Sequence, residues 1–70
     1  MKKYSINTRK FVVHFTEGTP LIVWEKAPER AVIKAQSLRI SNDETYTPVR
    51  VEDEFGGTWK IIRNLELLIQ

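Results

Sequence analysis

Apolar and polar residues alternate along the first part of the chain. Between Lys10 and Thr16, the side chains of Phe11, Val13 and Phe15 fall on one side of an extended backbone, which predicts a half-buried strand. Glu17 to Pro20 carries a glycine and a proline and predicts a turn. Leu21 to Trp24 predicts a second strand, so the two segments together predict a hairpin.

The middle of the chain changes to a helical period. Residues 28–39 predict one helix, because Pro28 suits the first turn and Glu29 favours the helix dipole. The predicted buried face carries Ala31, Ala35 and Leu38, with Val32 at its flank. Ile33 and Ile40 point away from this face, so either the apolar arc is wide, or Ile33 is partly exposed, or the helix ends before Ile40. Residues 41–44 predict the exit turn.

Strand patterns return after the helix. Thr47 to Glu52 predicts a third strand, in which Val49 and Val51 share one face and Pro48 stands at the start or on an edge. Residues 53–57 predict a turn, and Thr58 to Ile62 a fourth strand. Residues 63–64 then turn the chain, and Leu65 to Ile69 predicts a short fifth strand. The alternative is one long bent strand.

This order of elements predicts an α+β fold formed by one domain over residues 1–70. The expected architecture is a small, mainly antiparallel sheet of four or five strands with one helix on one face. The elements follow the order ββ-α-ββ, and the fifth strand, if it forms, is at the C-terminus. No second helix is predicted for the other sheet face. We therefore expect that face to be either polar or a binding surface, depending on whether residues 65–69 fold across it.

Composition narrows the class of protein. The 70 residues include no cysteine, which excludes disulfides and thiolate metal sites, and 41% are hydrophobic, which is enough for one core. We find no apolar run long enough for a signal peptide or a membrane span. We expect a cytoplasmic protein that does not enter a membrane.

The residues that could carry catalysis favour structural roles instead. His14 is the only histidine, and no serine or cysteine nearby suggests a triad. The acidic run of residues 52–54 lacks the spacing of a calcium loop and is expected to be a solvated hairpin tip. Gly56 and Gly57 precede a strand, whereas a phosphate-binding loop leads into a helix. We therefore expect no enzyme activity, no catalytic residue, no metal site and no cofactor.

The charge distribution and the tryptophans are the remaining functional signals. Eleven basic and nine acidic residues give a net charge of +2, with the basic ones concentrated in the first forty residues. If the helix includes Lys26, then Lys26, Arg30 and Lys34 form a basic stripe; its other interpretation is an ordinary solvated helix face. Trp24 lies in a strand that is apolar on both sides, and we expect at least one of Trp24 and Trp59 to pack in the core. The candidate interaction surface is Arg9, Lys10, Trp24, Lys26, Arg30 and Lys34, and Lys2 and Lys3 add charge.

Two functions follow from these signals. The first is a small non-catalytic binding protein, whose partner is a larger protein or complex; pairing of a sheet edge with a second copy is a further expectation. The alternative is a nucleic-acid-binding protein that uses the basic stripe on phosphates. The layout of a hairpin, one helix with two alanines four residues apart and a glycine-turn hairpin resembles that of many small bacterial and phage-encoded proteins. Some of those are inhibitors or adaptors that occupy a surface of a larger machine.

Overall fold

The structure, a computed structural model, describes residues 8–44, 46–62 and 67–69. In chain order its elements are β1 (Arg9–Phe15), β2 (Leu21–Glu25), α1 (Pro28–Ser41), β3 (Pro48–Asp53), β4 (Thr58–Ile61) and β5 (Leu67–Ile69). This order confirms the predicted α+β fold with one helix. The predicted turn at residues 63–64 and the start of the fifth predicted strand lie outside the described residues.

All five strands form one antiparallel sheet in the order β2-β1-β3-β4-β5. The predicted hairpins, β1 with β2 and β3 with β4, are both present. They join at the centre of the sheet, where β1 pairs with β3 and Val13 lies opposite Val51. Among the described strands, β2 therefore lies at one edge of the sheet.

The core lies between the sheet and α1. Phe11, Val13 and Phe15 are buried as their alternation predicted, and Val23 and Val51 extend the same face. Burying one such side chain contributes about 1.5–3 kcal/mol. The helix adds three buried small or β-branched residues, Ala31, Val32 and Ala35. The alanines let α1 lie close to the sheet, since they add little side-chain bulk to the interface.

The two ends of α1 follow from local chemistry. Pro28 occupies the first turn and Glu29 stands beside it, as predicted, while Asn42 caps the C-terminus with its backbone N–H. Asp43 adopts a positive φ of 60° and turns the chain. Ile40 lies inside the helix and is exposed, as is Ile33, so the apolar arc is narrow.

The prediction that Leu38 lies on the buried face of α1 is wrong. Leu38 is 46% exposed, and the neighbouring Arg39 is 6% exposed in its place. The reason is that the Arg39 guanidinium has partners there: it donates to the Glu44 carboxylate at 2.8 Å and to the carbonyl of Thr19. These contacts offset the desolvation of a charged group.

The prediction that Val49 shares a face with Val51 is also wrong. His14 pairs with Arg50 but Phe15 pairs with Pro48, so Val49 is an extra residue in β3 and its side chain is exposed. Such a bulge changes the face on which the following side chains lie. Pro48 stands at the start of the strand, as predicted.

Candidate functional site

One face of the sheet is not covered by the helix. α1 packs on β1, β2 and β3 from one side. Because successive side chains of a strand point to opposite faces, the strand residues that alternate with the core lie on the other side. We call this surface the open face; its described side chains are Lys10, Val12, His14, Ile22, Trp24, Arg50, Glu52, Thr58 and Lys60.

The β2 side of the open face is apolar. Trp24 is 55% exposed and Ile22 is 60% exposed. The pairing register places Lys10 opposite Trp24 and Val12 opposite Ile22, so these four side chains form one contiguous patch. A large indole left more than half exposed beside two aliphatic side chains is a feature of interaction surfaces.

Trp59 has the opposite environment. It lies on the helix-covered face, where its ring centre is 6.2 Å from that of Phe11, and it packs against the core. The prediction that at least one tryptophan packs in the core is therefore confirmed. Trp24 is the one that remains at the surface.

The centre of the open face is polar. His14 Nε2 lies 2.7 Å from Glu52 Oε1, and Arg50 Nε lies 3.7 Å from the other oxygen of Glu52. His14 thus contacts a carboxylate on the neighbouring strand. In the part of the chain that the structure describes, no group of three or more histidine and acidic residues is placed to hold a metal ion.

The basic stripe is shorter than its spacing suggested. α1 begins at Pro28 after Ala27, so Lys26 precedes the helix and only Arg30 and Lys34 lie on it. Both contact Glu25 at the end of β2, through Arg30 Nε at 3.2 Å and Lys34 Nζ at 3.8 Å.

Glu25 is held in its ionised form by these contacts. Partial burial opposes the charge, but the hydrogen bond and charge of Arg30, the backbone of Lys26 and the charge of Lys34 together outweigh it. The pKa of Glu25 therefore lies below its ordinary value. A shallow groove of about 220 Å³, lined by Glu25, Arg30, Ile33 and Lys34, runs along this contact.

Lys34 also reaches the backbone of the edge strand. Its Nζ lies 3.4 Å from the carbonyl oxygen of Trp24. The backbone N–H of Lys10, opposite Trp24, donates to Glu54 Oε2 on the side away from β2. In antiparallel pairs, residues that do not exchange hydrogen bonds direct their N–H and C=O groups outward. Both observations therefore place the backbone groups of Trp24, and of Ile22 two residues before it, on the free side of β2.

Arg9 lies apart from the open face and ties the sheet together. Its guanidinium lies 4.7 Å from the centre of the Phe11 ring, its Nε donates to Asp53 at 3.1 Å, and its Nη1 contacts the carbonyl of Lys26 at 3.4 Å. Arg9 thus joins the ends of β1, β2 and β3, which is a structural role.

Asp53 departs from the prediction of a solvated acidic tip. Its side chain is 7% exposed, and it accepts hydrogen bonds from the backbone N–H groups of Phe55 at 3.0 Å and Gly57 at 2.6 Å. Burial opposes its charge, but these N–H groups and Arg9 outweigh that cost and hold the pKa of Asp53 below its ordinary value. The neighbouring Glu54 is exposed, as predicted.

The structure thus groups most of the predicted surface residues around the outer end of β2. Lys10, Trp24, Lys26, Arg30 and Lys34 lie there, whereas Arg9 is held by Asp53 and Phe11. The prediction missed Ile22, Arg50 and Lys60. Ile22 could have been found, since it shares a strand face with Trp24. Lys2 and Lys3 lie outside the described residues.

No family model, curated protein or solved structure matches the chain. Within the described residues, the structure has no helix long and apolar enough to cross a membrane.

Proposed function

We propose that this chain is a small non-catalytic binding protein whose open face docks onto a larger protein, as an adaptor or an inhibitor would. One observation carries the proposal: Trp24 and Ile22 are both more than half exposed and adjoin each other on a sheet face that the helix leaves uncovered. Exposed aromatic side chains with a polar surround are typical of binding hot spots.

The remainder of the open face supports a protein partner. Lys10 flanks Trp24, and the His14–Glu52–Arg50 cluster borders the patch with both signs of charge. An apolar anchor beside a mixed polar rim matches the anatomy of a protein–protein interface. The rim charges would steer association and select partners more than they would add affinity.

The test is capture of a partner from lysate of the source cells, repeated with surface variants. Trp24→Ser and Ile22→Ser should each lose the captured protein. Ile40→Ser is the matched control, because Ile40 is 63% exposed but lies on the helix, away from the open face. Capture that survives both sheet variants, or that Ile40→Ser alone abolishes, would contradict the proposal.

A nucleic-acid partner is the second candidate. Lys10, Arg50 and Lys60 lie on the same face as Trp24, and such a surface could hold phosphates while the indole stacks on a base. The basic stripe on the helix gives this alternative less support, because Arg30 and Lys34 both contact Glu25 and are partly neutralised by it.

The two candidates differ in their response to salt. Phosphate contacts weaken steeply between about 50 and 200 mM salt. Capture should therefore be run at both salt concentrations with and without nuclease. Nucleic acid recovered only at low salt would support the alternative, and a protein retained at high salt after nuclease would support the first proposal.

A further inference from the structure

We propose that β2 receives an acidic, extended segment of the partner as an additional strand. This inference rests on the proposed function and names the partner's chemistry. Three features of the structure support it: a free backbone edge, apolar side chains on the same residues, and an excess of positive charge around them.

The backbone edge is the first feature. Among the described residues, β2 pairs with β1 alone, so no described strand pairs with its other side. The outward N–H and C=O groups belong to Ile22 and Trp24, the residues whose side chains are also exposed on the open face. A partner strand that pairs with this edge would therefore also cover both apolar side chains.

Lys34 already contacts one of these outward-facing backbone groups, the carbonyl of Trp24. Its contact with the Trp24 carbonyl is long, at 3.4 Å, and its side chain is about half exposed. A partner N–H could replace this weak contact at little cost. The displaced ammonium would then be free to pair with a carboxylate on the incoming strand.

The charges around this edge select the partner. Arg9 and Asp53 pair with each other at the Trp24 end of β2. Beyond that pair, this end carries four cations and three carboxylates: Lys10, Lys26, Arg30 and Lys34, and Glu25, Glu29 and Glu54. The cations flank the edge on both faces, Lys10 on the open face and Arg30 and Lys34 on the helix side. The net positive charge complements a segment with alternating apolar and acidic residues.

The same charges favour an acidic segment over a second copy of this chain. In an antiparallel β2–β2 pairing centred on Val23, the cations near Glu25 of one strand would lie beside Leu21 of the other strand and far from its Glu25. The β2 strand of a second copy therefore offers these cations no carboxylate.

Synthetic peptides test the inference directly. One capped peptide alternates valine with glutamate, its counterpart alternates valine with lysine, and a third is the acidic peptide with N-methyl groups on the amides of one edge, which removes those donors. We expect the acidic peptide to bind about 10-fold or more tightly than the other two, and to slow hydrogen exchange at the amides of Ile22 and Trp24.

A pair of variants separates backbone pairing from side-chain contact. Ile22→Pro removes an outward N–H, and proline is tolerated at such an edge position. Ile22→Thr keeps the N–H and is its matched control. We expect the proline variant to lose at least fivefold more affinity for the acidic peptide than the threonine variant, with both variants folded by circular dichroism.

Several results would overturn the inference. These are equal binding of acidic and basic peptides, binding insensitive to N-methylation, no binding of the acidic peptide, preferential binding of single-stranded DNA, or dimerisation through β2 in sedimentation experiments.

Failure of the proposed function can be distinguished from failure of strand addition. Partner capture that requires Trp24 but tolerates Ile22→Pro would refute strand addition and leave the docking surface standing, whereas capture that ignores Trp24 would refute both.

Discussion

The guanidinium of Arg39 lies 4.7 Å from the centre of the Phe15 ring, in the interior of the molecule. The Tyr46 ring flanks it at 5.4 Å. Through Phe15, Thr19 and Glu44, this one side chain joins the end of β1, the first hairpin turn and the segment after α1. Arg39 therefore organises the end of the molecule opposite the Arg9 contacts.

Replacing Arg39 by lysine should destabilise the fold although the charge is kept. An ammonium lacks the planar fork that serves two acceptors while stacking on a ring, so we expect a loss of about 1–2 kcal/mol in the free energy of unfolding. Urea denaturation followed by tryptophan fluorescence measures this. Arg30→Lys is the control, because Arg30 is exposed and should change stability by less than about 0.5 kcal/mol. Equal stability of the two variants would contradict the role given to Arg39.

Alanine at Gly18 should cost more than alanine at Gly56. Both glycines have positive φ, 79° and 92°, where a side chain costs about 1–2 kcal/mol. A Cβ at Gly18 would also lie 2.8 Å from the Tyr46 ring, whereas one at Gly56 meets no atom within 4 Å. The difference between the two free energies of unfolding isolates the clash with Tyr46. A larger loss at Gly56 would refute this packing.

Asp53 should make the protein sensitive to acid. Its pKa is lower in the folded than in the unfolded chain, where the ordinary value is 3.8, so its stabilisation is complete above that value and is lost as the pH falls through the folded-state pKa. Asp53→Asn keeps an acceptor oxygen but removes the charge that faces Arg9. At pH 7 we expect this variant to be less stable by about 1–3 kcal/mol.

The gap between Asp53→Asn and the unsubstituted chain should narrow as the pH is lowered from 6 to about 2, as measured by urea denaturation at each pH. Glu25→Gln serves as a comparison, because Glu25 also has a lowered pKa but pairs with the exposed cations Arg30 and Lys34 and not with Arg9. A gap that is constant with pH would show that the charge of Asp53 does not contribute.

The two tryptophans should behave differently as probes. Trp24 is exposed, so Trp24→Ser should change the free energy of unfolding by less than about 0.5 kcal/mol. Trp59 packs against the core, so Trp59→Ala should cost about 2–4 kcal/mol. In the single-tryptophan variants, acrylamide should quench Trp24 fluorescence more efficiently than Trp59 fluorescence. The reverse order would place Trp24 in the core and remove the basis of the proposed docking surface.

The alternation of apolar residues was sufficient to predict the strands and both hairpins. The buried face of β1 follows directly from the alternation of Phe11, Val13 and Phe15, and the glycines indicate the turns. The helix was predicted two residues too short. The exit turn was expected over residues 41–44, but Ile40 and Ser41 continue the helix and the chain turns only at Asn42. The order of the strands in the sheet could not be predicted from the sequence, because the β1–β3 pairing depends on contacts between distant segments.

The wrong predictions share a physical cause. Leu38 is more hydrophobic than Arg39, yet the orientation of α1 on the sheet turns Arg39 inward toward Phe15. The bulge that exposes Val49 depends on how β3 meets β1. For Asp53, a local signal existed: an aspartate four residues before a glycine can accept backbone hydrogen bonds within the turn. Side-chain partners that fold in from other segments decided the remaining cases.

The central position of β1 and β3 has a consequence for how the chain folds. Each hairpin forms from near neighbours in sequence, but the β1–β3 ladder joins Phe11 to Asp53 and must close a loop that contains β2 and the whole helix. Closing such a loop costs conformational entropy before the contacts between β1 and β3 can stabilise the chain. Neither hairpin has a complete core alone, since Val13 and Val51 bury each other across that ladder. The rate-limiting event in folding should therefore be the meeting of two preformed halves, and the molecule should gain its stability in that single step.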